Sequence, residues 1–221
     1  TDLVICGLNI YKNDKLLRTP HLNKKIIEIK KGVEEFQYIN KVFASPCNKL
    51  YKKEKIKDLF KEDLDSGEDL FFNLKYLENI DTISITEKCL YNVCLDNDNS
   101  LNRKFRDDKL DINFNLLDEQ LKFCNKLYGN NVNVDFLYKS YILLLHAYIL
   151  QIMDVYDKNK VKETIKKYIH DKRIEKACDI SKLDRFDYRI FEQLVKRKKV
   201  MMIYNFIKLK KILMEGKNDK K

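Results

Sequence analysis

One stretch limits what this chain can fold into: VDFLYKSYILLLHAYILQIMDVY, from Val134 to Tyr156. Val134, Leu137, Tyr141, Leu144, Leu145, Tyr148, Ile152 and Val155 recur in steps of three and four, which lays one continuous face along a helix. Ile142, Leu143 and Ile149 make the opposite side apolar as well. A helix apolar on most sides is buried, either in protein or in lipid. The charge-free run from Ser140 to Met153 is 14 residues long, whereas a membrane span needs about 20 apolar residues. Lys139 and Asp154 close the run, so it reads as a core helix around which the rest of the chain must pack.

The 221 residues include only 5 Gly and 2 Pro. A sandwich or barrel needs a turn about every 8–12 residues, so this scarcity argues for long helices joined by short polar loops. Thr19-Pro20 supplies an N-cap followed by Pro at the first helical position. Leu22, Ile26, Ile29, Val33, Phe36, Asn40 and Phe43 then step by fours and threes, a heptad seam with one polar member, Asn40. Ser45-Pro46 ends that helix. A second helical segment runs from Asn48, interrupted at Asp65-Ser66-Gly67; the TISIT piece, 82–86, reads as a kink or loop, with helix again over Glu87–Leu95. Phe114, Leu117, Leu121, Cys124 and Leu127 mark a shorter helix closed by Gly129. A further helical run leads to Cys178, and a last long helix is expected from Ser181 to about Glu215. The fold expected is all-α: an antiparallel four-helix bundle with an additional short helix, in a single domain over 1–221. Residues 1–18, containing LVICGLNIY, would be an N-terminal arm or brief strand packed on the bundle. Residues 96–112 would be a polar loop, and 216–221 a disordered basic tail.

Chemistry-bearing patterns are scarce. His21, His146 and His170 lie on different segments, with no partner at helical spacing for a metal pair. Six cysteines form neither a CxxC nor a Cys/His zinc pattern, so free thiols and one or two disulfides both remain open. No GxGxxG, Walker-type loop, GxSxG or HExxH is present. Asp96, Asp98 and Ser100 echo a calcium loop, but Leu101 stands where Gly is required and Asp107 where a bidentate Glu belongs. No acidic pair is placed for acid–base work, so we expect no enzyme activity, cofactor or metal. His146, inside the most apolar stretch, is a candidate pH-sensitive core residue, because a buried imidazole that had to charge would loosen its surroundings.

Charge supplies the sharper lead. From Lys182 to Lys221 there are 13 Lys and Arg against 5 Asp and Glu, while the rest of the chain is nearly balanced at 31 against 29. A basic segment on a neutral body points to an acidic partner. Lys196, Arg197, Lys198 and Lys199 lead into VMMIYNFIKLKKILM, where Lys208, Lys210 and Lys211 interleave with Met201, Met202, Phe206 and other apolar groups. Those ten residues are the candidate contact site for an anionic membrane surface or for an acidic or groove-bearing protein. The same charges could meet nucleic acid, but no RRM, KH or helix-turn-helix signature accompanies them, which disfavours that partner.

The whole chain, rich in Lys, Asn and Ile, free of Trp and without a catalytic motif, resembles the sporozoite microneme proteins essential for cell traversal in malaria parasites. The resemblance implies a secreted helical bundle, stored in an apical secretory organelle (the microneme), that acts at host-cell membranes. It carries over no catalytic residue. The mechanism expected on that reading is partial bundle opening, which would expose the apolar faces of 134–156 or 200–213 while the lysine clusters hold anionic lipid.

Overall fold

Alternation at the N-terminus decides the first half of the molecule. In Leu3–Lys12 Leu3, Ile5 and Gly7 are buried while Val4, Cys6 and Leu8 are half-buried, the period-two pattern of a strand, and Ile10 is buried beyond a register shift at Gly7. In a computed structural model describing residues 1–61, 64, 66–96 and 105–218, this strand, β1, is central to a curled five-stranded mixed sheet. The all-α expectation is therefore wrong, and of the two readings of residues 1–18 the structure shows strands and not an arm. The chain forms two compact units, Thr1–Asn133 and Val134–Lys221.

In the first unit, β1 pairs antiparallel with β2 (Lys15–Arg18) through its C-terminal half and with β4 (Lys49–Tyr51) through its N-terminal half. Along its other edge it runs parallel to β5 (Thr82–Cys94), which in turn pairs antiparallel with β3 (Ile26–Glu28). The β1–β2 turn uses Asn13 and Asp14, with φ of 47° and 58°. These residues tolerate the left-handed region that a two-residue hairpin demands. The low glycine count thus misleads, because Asn and Asp supply positive φ here. Gly7 matters for a different reason: a Cβ there would lie 2.7 Å from Cys89 Sγ, where the β1–β5 register shifts.

The heptad seam of 22–43 does not form one helix. It divides into β3, a 3-10 turn at Ile29–Lys31, the short helix α1 (Val33–Ile39) and a second 3-10 turn at Asn40–Val42. Leu22, Ile29, Val33, Phe36 and Phe43 are still buried, but Ile26 is 68% exposed and the off-seam Ile27 takes its place in the core. Thr19-Pro20 starts no helix, and Pro20 instead accepts a backbone hydrogen bond from Leu8 at 3.0 Å. The segment 82–94, read as kink and helix, is one long strand with Ile83 and Ile85 turned inward. Helices α2 (Glu68–Glu78) and α3 (Lys109–Tyr128) complete the unit. Phe36 lies at its centre, 4.9 Å from the Phe123 ring and 6.1 Å from Phe43. The calcium-like positions Asp98 and Ser100 lie outside the described residues, as do residues 97–104 of the expected polar loop, and its end from Lys109 onward is the start of α3.

The second unit is helical: α4 (Asp135–Ile152), α5 (Lys158–Tyr168), α6 (Lys172–Ile180), α7 (Phe186–Lys196) and α8 (Val200–Asn218). As the pattern predicts, α4 is its core, with Leu137, Ile142, Leu145, Ile149 and Ile152 fully buried. Asp157 caps α5 by accepting from Asn159 and Lys160 N–H groups, and Asp171 caps α6 through Arg173 N–H. The expected single helix from Ser181 to Glu215 is broken. Its α7 half ends in a Schellman motif, with Lys198 N–H on Val195 O at 2.9 Å and Lys199 N–H on Leu194 O at 3.0 Å. Lys198 occupies the left-handed position at φ 54°, where glycine is usual. The expected tail at 216–221 is helical as far as Asn218, and 219–221 lie outside the described residues.

Candidate interaction surface

The two units divide the charge unequally. Residues 1–133 carry 22 Lys and Arg against 22 Asp and Glu; residues 134–221 carry 22 against 12, so the whole net charge of +10 sits in the helical unit. Within it, α8 is apolar on two sides. Ile203 and Ile207 are buried, and Tyr204, Phe206, Lys210 and Lys211 are half-buried along the docked side. Met201, Met202, Leu209, Ile212 and Leu213 point the other way and remain 50% to 60% exposed. Their spacing places them together on one stripe of the helix.

The ten residues singled out from sequence separate into two sets. Four of the cations are held within the unit: Lys196 by Asp179 at 2.7 Å, Lys198 by Glu175 at 2.6 Å, Lys210 by Asp187 at 2.7 Å, and Lys211 by Asp154. Phe206 is half-buried. Arg197, Lys199 and Lys208 are exposed and make no ion pair among the described residues, and Met201 and Met202 belong to the exposed stripe. The candidate surface that is both exposed and free of ion pairs among the described residues is therefore narrower than the ten residues, while Leu209, Ile212 and Leu213 lie on the same exposed stripe. Their periodicity against the buried Ile203 and Ile207 was the signal in the sequence that could have found them.

His146 explains how α8 is held. Its imidazole is 3% exposed, and its ring stands edge-on to Tyr188 and Phe191, each at 5.0 Å. Lys210 Nζ lies 3.1 Å from His146 Nε2 and over the Tyr188 ring at 4.2 Å. An ammonium can only donate, so Nε2 accepts and the imidazole is neutral with its proton on Nδ1. Burial pushes the His146 value down to about 4, and the charges of Lys210 and Arg185 push the same way, partly offset by Asp187. The Asp187 carboxyl, hydrogen-bonded by Lys210 and Arg185, is held down at about 2. This chain of Asp187, Lys210 and His146 fastens α8 to α7 and α4. With its imidazole buried and its ammonium shared, it is a structural fastening and presents no exposed acid–base pair.

Among the described residues no group of His, Cys, Asp and Glu is placed to hold a metal ion, and no helix is long and apolar enough to cross a membrane. No protein-family model matches the chain, and no curated protein matches it either.

Proposed function

We propose that the helical unit is a non-enzymatic module that binds an anionic membrane surface by laying the outer stripe of α8 into the headgroup boundary. The observation that carries this reading is the exposed row Met201, Met202, Leu209, Ile212 and Leu213 beside the unpaired Arg197, Lys199 and Lys208, on a unit of net +10. A half-exposed Leu, Ile or Met gains roughly 1 kcal/mol when the remainder is buried. Each basic group near an anionic leaflet adds about 1 kcal/mol. Together these suit reversible, salt-sensitive attachment once the cost of immobilisation is met. The exposed stripe needs no bundle opening, so the opening mechanism is unnecessary for this contact. Secretion and host-cell traversal rested on a likeness to helical proteins, and the sheet in 1–133 removes that support. The proposal is confined to the membrane surface.

Co-sedimentation of the full chain with phosphatidylserine-containing and purely zwitterionic vesicles tests it. Binding to anionic vesicles alone, weakening as salt rises and lost in Leu209→Glu/Leu213→Glu, is expected. Indifference to both vesicle types at low salt would sink the membrane reading and leave an acidic or groove-bearing protein as the occupant of the stripe.

A further inference from the structure

The sheet-bearing unit holds a second chemical feature, unrelated to α8. A pocket of about 210 Å³ lies where β1, β4 and β5 meet, lined by Cys6, Cys47, Lys49, Leu90 and Tyr91 among others. Cys6 is directly across from Asn48: Cys6 N–H donates to Asn48 O at 3.0 Å, and Asn48 Nδ2 donates to Cys6 O at 2.8 Å. This continues the β1–β4 register, in which Val4 faces Leu50 and Ile5 faces Lys49. An opposed hydrogen-bonded pair sets Cα atoms about 5.5 Å apart. Cys47 is the next residue along, in the turn after Pro46, and it lines the same pocket as Cys6. Both are free thiols, Cys47 exposed and Cys6 half-buried.

A buried cation and a phenol line the same pocket. Lys49 is 8% exposed, with its ammonium donating to Val42 O at 3.0 Å, to Asn48 Oδ1 at 2.8 Å and to Ser45 O. Burial pulls its value down to about 8, partly offset by the nearness of Cys47 and Cys6. Tyr91 lines the same pocket, and its neighbour Cys47 raises the phenol above its ordinary value.

We propose that Cys47 and Cys6 form a dithiol exchange site that takes a small disulfide as its co-substrate. The Cys47 thiolate attacks one sulfur of the disulfide, forming a mixed disulfide and expelling one thiolate, which takes a proton from water. Cys6, after losing its own proton to water, attacks the Cys47 sulfur and expels the second thiolate. Two protein thiols become one Cys6–Cys47 disulfide, and the small disulfide is reduced to two thiols.

The test treats the full chain with excess oxidised glutathione, quenches with an alkylating reagent, and maps the product by intact mass and peptide mass spectrometry. The wild type should lose two thiols, retain no glutathione and yield one linked pair of peptides carrying Cys6 and Cys47. Cys6→Ser should stall with one glutathione on Cys47, and Cys47→Ser should leave Cys6 reduced. A wild-type chain that stays glutathionylated at Cys47, stays fully reduced, or links other cysteines overturns the proposal, and these outcomes need no variant to fold.

Discussion

The two units bury titratable bases in opposite ways. In residues 1–133, Lys49 is buried as a cation, its three donors satisfied by two backbone carbonyls and the Asn48 side chain. In residues 134–221, His146 is buried as a neutral base, accepting from Lys210, whose own charge Asp187 answers. A cation taken from water needs every donor met, and the turn after α1 provides this. A neutral imidazole needs only one good donor, so the helical unit can use it to latch α8. The sheet unit carries no net charge, while the helical unit keeps all ten surplus positive charges, with several of its lysines tied across helices and the rest facing solvent.

Core truncation should separate the units most clearly. Phe36→Ala, at a fully buried ring, should cost about 3–5 kcal/mol, and Leu145→Ala about 2–5 kcal/mol. Hydrogen exchange should show the first variant weakening amide protection within 1–133 and the second within 134–218. Protection lost equally everywhere after either change would break the comparison.

The pH response comes next in size. His146 titrates near 4 in the fold against an ordinary 6.5, so the unfolded chain takes up the proton first as pH falls. Its contribution is intact above 6.5 and is lost between 6.5 and about 4, amounting to about 3 kcal/mol when complete. His146→Gln should flatten that part of the pH–stability curve measured by urea unfolding; an unchanged slope would refute the assignment. Lys49 works in another window. Its folded value of about 8 lies below 10.5, so the fold sheds its proton first and stability should rise between those values as pH increases. Acid thus weakens the helical unit and alkali strengthens the sheet unit, unless other titrations in 1–133 mask the rise; Lys49→Met, compared with the wild type over the same range, isolates it.

Smaller effects sharpen the picture of α8. Lys198→Gly should stabilise the helical unit by about 1 kcal/mol by relieving the left-handed lysine, less whatever the exposed pair with Glu175 contributes. A lower Tm for that variant would contradict the Schellman account. Lys196→Ala, which removes the exposed contact to Asp179, should leave Tm unchanged at physiological salt.

Both the fold and the surface were partly legible in the sequence. The central helix, the Gly129 stop after α3 and the basic character of the C-terminal segment follow from local pattern, because helical periodicity over many residues has few competing readings. The heptad seam of 22–43 was ambiguous. Steps of three and four over short intervals also arise where a strand, a 3-10 turn and a brief helix follow one another, and in the strand Ile26 turns out while Ile27, off the seam, turns in. In the candidate surface, sequence marked the lysines but could not separate Lys210, committed to Asp187 and His146, from Lys208, which faces solvent.

By itself, then, the sequence determined α4 as a buried core helix, a helical second half, and the location of the surplus positive charge. It also held the hairpin in plain view, since Asn13-Asp14 does the work that glycine does elsewhere. The tertiary structure decided the rest. The pairing of β1 with β5 joins residues some eighty positions apart, and no local pattern encodes a partner at that distance. Which lysines are spent on ion pairs, and which apolar side of α8 is left uncovered, depends on where neighbouring helices place Asp154, Asp187 and His146. Those positions exist only once the helices have packed.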